Sequence, residues 1–150
     1  MPAETADMLT STIQIALGPV FLLVATGGVL NVFTGRLARV VDRSRDLMHQ
    51  HGATTGDAHA RVVRELRILD QRMDIINWSI ALCVACGIVV CIMVAMLFLF
   101  GSGQAALAIP VAAAFIIAML LMLAALVLFL VEVRLAIRTI HVPMELLERE

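Results

Sequence analysis

The chain has 150 residues, of which 61% are hydrophobic and 15% charged, with a formal net charge of -1 and a mean hydropathy of +0.98. That balance excludes a water-soluble domain of this size and a nucleic-acid-binding protein built on surplus basic charge, and it points to a single integral membrane domain covering residues 1–150. Its 11 basic residues, all arginine, are unevenly spread, and their distribution carries more information than the net charge.

About 20 apolar residues cross a bilayer, and three segments meet that length: Ile13 to Phe33, Ile75 to Phe100, and Ala105 to Val131. The first is preceded by "MPAETAD", which carries Glu4 and Asp7 and no basic residue, so it does not read as a cleavable secretory signal. Pro19 falls inside this span and predicts a kink. The stripe Val20, Val24, Gly27, Asn31, Thr34, Ala38 and Asp42 recurs every three or four positions and so shares one helix face. It is apolar toward one end and polar toward the other. This pattern fits a pore lining in which valines form a constriction and the asparagine, threonine and aspartate form a vestibule. It also fits an ordinary helix contact made of small residues and interhelical hydrogen bonds.

Arg36, Arg39, Arg43, Arg45, Arg61, Arg64, Arg67 and Arg72 all lie between the first two spans, and Arg134, Arg138 and Arg149 follow the third. Basic residues stay on the cytoplasmic side, so the amino terminus is expected outside and the carboxyl terminus in the cytoplasm. Arginines near that surface gain from anionic headgroups.

No proline interrupts the passage from the first span into "RLARVVDRSRDL", so the helix is expected to run on out of the membrane, from about Thr10 to His49. Leu37, Val40, Val41, Leu47 and Met48 lie along one side of it. The glycines of "HGATTGD" mark a turn, after which Val62, Leu66, Leu69, Met73 and Ile76 repeat in steps of four and three. That is the seam of an antiparallel helical pair, a coiled-coil-like cytoplasmic hairpin over residues 34–74. Arg61 with Glu65 and Arg67 with Asp70 are expected as pairs along its flanks. The fold class is therefore all-α, with three transmembrane helices, the first two extended into the hairpin. The second helix runs from near Ala58 to Phe100, and the third is mostly within the membrane.

Polar residues gather again at the inner edge of the spans: Arg36, Asp74, Asn77, Glu132 and Arg134. A carboxylate at that depth calls for a partner, and Glu132 can pair with Arg36 or Arg72. Asp74, Asn77 and Glu132 also offer oxygen ligands of the kind hard cations take.

"CVAC", from Cys83 to Cys86, with Cys91 beyond, has a spacing used by redox and metal sites, but deep in an apolar helix cysteine acts as a small hydrophobe. His49, His51 and His59 surround the turn, where imidazoles could titrate near neutrality, and His141 lies in the tail. No metal site and no cofactor is assigned. A catalytic constellation is lacking: there is no "HExxH" helix, phosphate-cradling glycine loop or serine–histidine–aspartate set, and an enzyme is not expected.

The runs "GPVFLLVATGGVLNVFTGRLARVVDRSRDL", "ELRILDQRMDIINWSI" and "LFLVEVRLAIRTI" resemble a family of small bacterial membrane proteins known only as a domain of unknown function, number 2721. The resemblance extends from Ile13 to Ile140 and rests on Pro19, Asn31, Thr34, Gly35, Arg36, Leu37, Arg39, Asp42, Arg43, Asn77 and Glu132. It implies a three-span fold in the bacterial plasma membrane, without an agreed activity. Two functions fit the residues. One is a homo-oligomeric channel, favouring cations, with the first span lining the path. The other is a non-conducting scaffold or accessory subunit that docks a partner through the hairpin.

Overall fold

The computed structural model describes residues 2–52, 54–100 and 105–139. Three α-helices account for nearly all of them: α1 (Pro2–His51), α2 (Asp57–Phe100) and α3 (Ala105–Thr139). At 1.5 Å per residue, the 50 residues of α1 reach about 75 Å, more than twice the roughly 30 Å of a hydrocarbon core. All three helices are long and apolar enough to cross a membrane. Leucine, alanine, valine and isoleucine dominate the apolar stretches and arginine the polar one, and the internal prolines, Pro19 and Pro110, sit inside helices that continue past them.

The helices start and stop differently from the sequence expectation in two places. The α1 helix begins at Pro2 rather than near Thr10, because proline is well accommodated in a first turn where no amide donor is needed. The α3 helix runs to Thr139, about two turns beyond Val131, since "EVRLAIRT" contains no residue that would break it. Between α1 and α2 the chain turns at Gly56, whose φ of 66° is the left-handed conformation that glycine adopts without penalty. The "GSGQ" turn, His141 and Arg149 lie outside the described residues, as do the side chains of Glu4, Asp7 and Arg138.

The α2 helix is central. Both α1 and α3 pack along it, and they scarcely touch each other. The reason is visible in which side chains are buried. On α2 these are Val62, Leu69, Ile76, Cys83, Val90 and Leu97, each seven residues after the last, with Ser79, Cys86 and Met93 forming a second row three residues out of step. On α1, Pro19, Thr26, Phe33, Val40 and Leu47 repeat at the same interval, and on α3 Ala118, Ala125 and Glu132 do so. A seven-residue repeat keeps one seam facing its neighbour along helices far longer than an ordinary globular one. Two core clusters share that seam. One joins Val40, Leu47, Val62, Leu69 and Ile76 between α1 and α2. The other joins Phe33, Cys83, Cys86, Val90, Met93, Ala118, Met122 and Ala125 across all three helices.

The seam of Val62, Leu69 and Ile76, with Leu66 and Met73 packed against it, matches the sequence expectation. On α1 the expected face is shifted. Met48 is 60% exposed, and Ser44 is buried instead, because Ser44 lies about 40° round the helix from Val40 and Met48 about 80°. Glu65 also departs from expectation: it binds Arg43 across the hairpin, with Arg43 Nη2 and Nε donating at 2.7 and 2.9 Å. A contact within one helix would have used Arg61. The guanidinium of Arg43 is planar and reaches the carboxylate with a two-donor edge, a geometry an in-helix neighbour reproduces poorly.

The outer surface is strongly apolar. Val24, Phe21, Leu99 and Ile109 are each about two-thirds exposed or more, and such residues cover the spans on every side. A water-soluble monomer does not carry apolar surface of that extent.

Candidate functional site

Two features stand out from that apolar background. The first is the stripe on α1. The buried repeat of α1 runs through Pro19, Thr26, Phe33 and Val40. Val20, Gly27 and Thr34 each follow a seam residue by one position, about 100° round the helix, and Val24, Asn31 and Ala38 follow by five, about 140° round. The whole stripe, including Asp42, is exposed, with Val20 at 43% and Val24 at 70%. It faces away from α2 and α3. A Cβ added at Gly27 would meet no atom within 4 Å, so this flank is open to close approach. Thr34 donates its hydroxyl to the carbonyls of Leu30 and Asn31 at 3.0 and 3.1 Å and is satisfied by its own helix. Asn31 is different: its side-chain amide has no partner among the described residues.

The second feature is a junction of all three helices around Glu132, which is fully buried. Arg72 of α2 donates from Nη2 and Nε to Oε1 at 2.8 and 3.1 Å. Arg36 of α1 approaches Oε2 with Nη1 at 3.5 Å. The Arg36 guanidinium also lies 5.7 Å from the centroid of the Phe129 ring, and Phe129 packs on Phe33 with ring centroids 4.5 Å apart. Since α1 and α3 make little other contact, Glu132 and Phe129 are the means by which α3 holds α1. Two cations around one carboxylate leave Glu132 no bare oxygen and leave the junction a positive charge in surplus.

The inner-edge cluster divides accordingly. Arg36 and Glu132 are brought together, with Arg72 as the stronger of the two partners considered for Glu132. Asp74 and Asn77 are not part of the junction. They line a shallow cleft with Trp78 and Ala81 on another face of α2, and Arg134 is exposed on α3. Asp74, Asn77 and Glu132 therefore do not converge on a common point. Among the described residues no group of three or more histidine, cysteine, aspartate or glutamate side chains could hold a metal ion.

The cysteines sort by position in the repeat. Cys83 and Cys86 are buried and Cys91 is exposed. Cys83 Sγ contacts the carbonyl of Thr26 at 3.6 Å, so the "CVAC" pair packs as small seam residues. At the turn, the His51 and His59 rings meet at a tilt of 56° with centroids 4.3 Å apart. Sequence reasoning passed over Thr26 and Ser79, which are buried polar residues. Each donates its hydroxyl four residues back, Thr26 to Leu22 at 2.7 Å and Ser79 to Ile75 at 2.9 Å. Their position in the seven-residue repeat was the signal that would have found them.

Three long apolar helices, an apolar exterior and a carboxylate neutralised at the end of an apolar run define an all-α integral membrane protein. The chain belongs to the family described as Protein of unknown function (DUF2721), whose model matches residues 16–142. No curated protein and no solved structure matches it.

Proposed function

We propose that the protein is a homo-oligomeric ion channel of the bacterial plasma membrane, with copies of α1 gathered about a common axis and the stripe from Val20 to Asp42 turned inward. The observation that carries the reading is the outward-facing, unpartnered amide of Asn31 on an otherwise small-residue flank. An amide at membrane depth is costly against lipid, and water in a pore or a neighbouring copy relieves that cost. A chain of three helices cannot enclose a pore alone, so closed symmetry is required. Asn31, Thr34 and Asp42 present oxygen on that side, which favours cations over anions.

In this reading the arginine-rich end is cytoplasmic, the amino terminus is outside, and α1 and α2 project inward as an antiparallel coiled coil. The test is ion flux into liposomes containing the purified protein. Asn31→Leu and Val24→Asn are expected to change the flux in opposite directions. Unchanged flux in both variants, or a purified protein that is monomeric, sinks the proposal.

A second reading draws on a different observation. The hairpin carries a cleft of about 360 Å³ lined by Ser44, Met48, Val63, Leu66 and Met73, with Arg67 and Asp70 alongside. An apolar groove with charged flanks suits an amphipathic helix, which supports a non-conducting scaffold that docks a partner there. Disrupting this groove with Leu66→Asp would then abolish partner capture and leave flux untouched.

A further inference from the structure

Next to the Glu132 junction, on the hairpin side, a cleft of about 630 Å³ opens between the helices. Arg36, Arg43, Arg61, Arg64, Arg72 and Glu65 line it. Ile68 and Leu69 provide apolar wall, and Ala136 brings the end of α3 to its border.

The charge balance of this cleft is one-sided. Glu65 takes two donors from Arg43, and Glu132, just behind the wall, takes Arg72 and Arg36. Five guanidinium groups thus meet two carboxylates, leaving three positive charges. Arg61 and Arg64 have no acidic partner among the described residues. They sit three positions apart on one helix, where like charges repel. Of the other acids on this helix, Asp57 lies one turn before Arg61 without forming an ion pair with it, Asp70 borders the groove with Arg67, and Asp74 borders the shallow cleft with Trp78.

Two of the arginines, Arg43 and Arg72, are also held in place. Each guanidinium has five donors in a rigid fork, and Arg43 and Arg72 each commit Nε and Nη2 to a carboxylate, leaving three to point elsewhere. Glu65 and Glu132 act as positioning residues. Several prealigned forks around a space of this size suit a tetrahedral, multiply charged oxyanion better than a planar carboxylate. The cleft lies at the level where the apolar run of α3 ends at Val131 and Glu132, the depth at which lipid headgroups meet a spanning helix.

We propose that this cleft binds a phosphate group, either the headgroup of an anionic phospholipid or a soluble phosphate. The inference goes beyond the channel reading and does not depend on it, since one chain contains the whole cleft.

The test uses the full-length protein in neutral detergent. It is titrated calorimetrically with inorganic phosphate, with dioctanoyl phosphatidylglycerol, and with dioctanoyl phosphatidylcholine as a zwitterionic reference. The wild type is expected to bind phosphate or phosphatidylglycerol saturably, at one site per chain. In R61Q/R64Q the affinity falls about tenfold or more, the scale of one lost charge-assisted contact. R61K/R64K, which keeps the charges but loses the forks, falls in between, and R39Q/R67Q, whose arginines lie outside the cleft, matches wild type. Tighter binding of phosphatidylglycerol than of inorganic phosphate assigns the site to lipid, and the reverse order assigns it to a soluble anion. Circular dichroism verifies that the variants remain helical. The proposal is overturned if neither anion binds saturably, if phosphatidylcholine binds as well as phosphatidylglycerol, or if R61Q/R64Q and R39Q/R67Q lose affinity equally. Altered flux in the liposome assay with intact anion binding, or the converse, separates this inference from the channel reading.

Discussion

Arg72 and Glu132 lie 60 positions apart, yet Arg72 places two donors on a single oxygen of the Glu132 carboxylate, 2.8 and 3.1 Å away. The carboxylate is wholly shielded, while the arginine side chain is 16% exposed. This pair ties α3 to α2, and the longer contact from Arg36 adds α1.

Removing one member of a buried ion pair leaves the other uncompensated, at a cost of about 3–5 kcal/mol. Glu132→Ala is therefore expected to destabilise the bundle on that scale, and Glu132→Gln by less, because the amide oxygen still accepts from Arg72. Reversible unfolding in mixed micelles, followed by helicity, measures both. A Glu132→Ala protein as stable as wild type would show that the junction does not hold the helices together.

Leu69 and Met48 test the seam outside the apolar spans. Leu69 is 5% exposed in the hairpin core, and Met48 is 60% exposed on its surface. Leu69→Ala should cost about 2–5 kcal/mol through lost burial and a residual cavity, whereas Met48→Ala should stay within about 0.5 kcal/mol. Equal losses in the same unfolding assay would contradict the register of the hairpin.

The Arg43–Glu65 pair is the exposed counterpart of the buried junction, with side chains 52% and 40% exposed. A double-mutant cycle on Arg43→Ala and Glu65→Ala should return a coupling of only about 0.2–1 kcal/mol, shrinking as salt is raised. A coupling several times larger and insensitive to salt would mean that the pair is enclosed by another chain.

Thiol reactivity reads the repeat directly. Cys91 is exposed, whereas Cys83 and Cys86 are buried. A membrane-permeant maleimide should modify one cysteine quickly in mild detergent and the other two only after denaturation, as counted by intact mass. Rapid labelling of all three would place the "CVAC" pair outside the core.

Engineered cysteines address the arrangement of copies. In a background lacking the native thiols, Gly27→Cys should cross-link between chains under oxidation if α1 helices gather at an axis, and Ile92→Cys, exposed on α2 at 55%, should not. Cross-linking at position 92 and not at 27 would remove α1 from the centre of the assembly.

The three apolar helices and the Val62–Leu69–Ile76 seam were legible because apolar periodicity is written in residue type. Glu132 announced its need for a cation, since a carboxylate at the end of an apolar run has few other options. The sequence offered Arg36 or Arg72 as alternatives, and the structure engages both at once. Which helix is central depends on long-range packing, and α2 is merely intermediate in hydropathy between α1 and α3. Thr26 and Ser79 escaped notice for a chemical reason. A hydroxyl that can bond back to its own helix, as those of Thr26 and Ser79 do, packs nearly like alanine while still counting as polar in a hydropathy pattern. Glu65 illustrates the complementary failure: spacing along one helix suggested Arg61, whereas the facing helix supplied Arg43.

The unbroken repeat of α2 also has a mechanical side. Were α1 or α3 to slide along it by seven residues, about 10 Å, nearly every apolar knob would find an equivalent socket, so hydrophobic packing by itself tolerates several alignments. The ion pairs discriminate among them: a slipped α3 would set Glu132 against Glu65 or Ser79, the positions seven residues from Arg72, and a slipped α1 would part Arg43 from Glu65. Glu132 thus works as a detent for α3, holding it at one notch of an otherwise sliding scale.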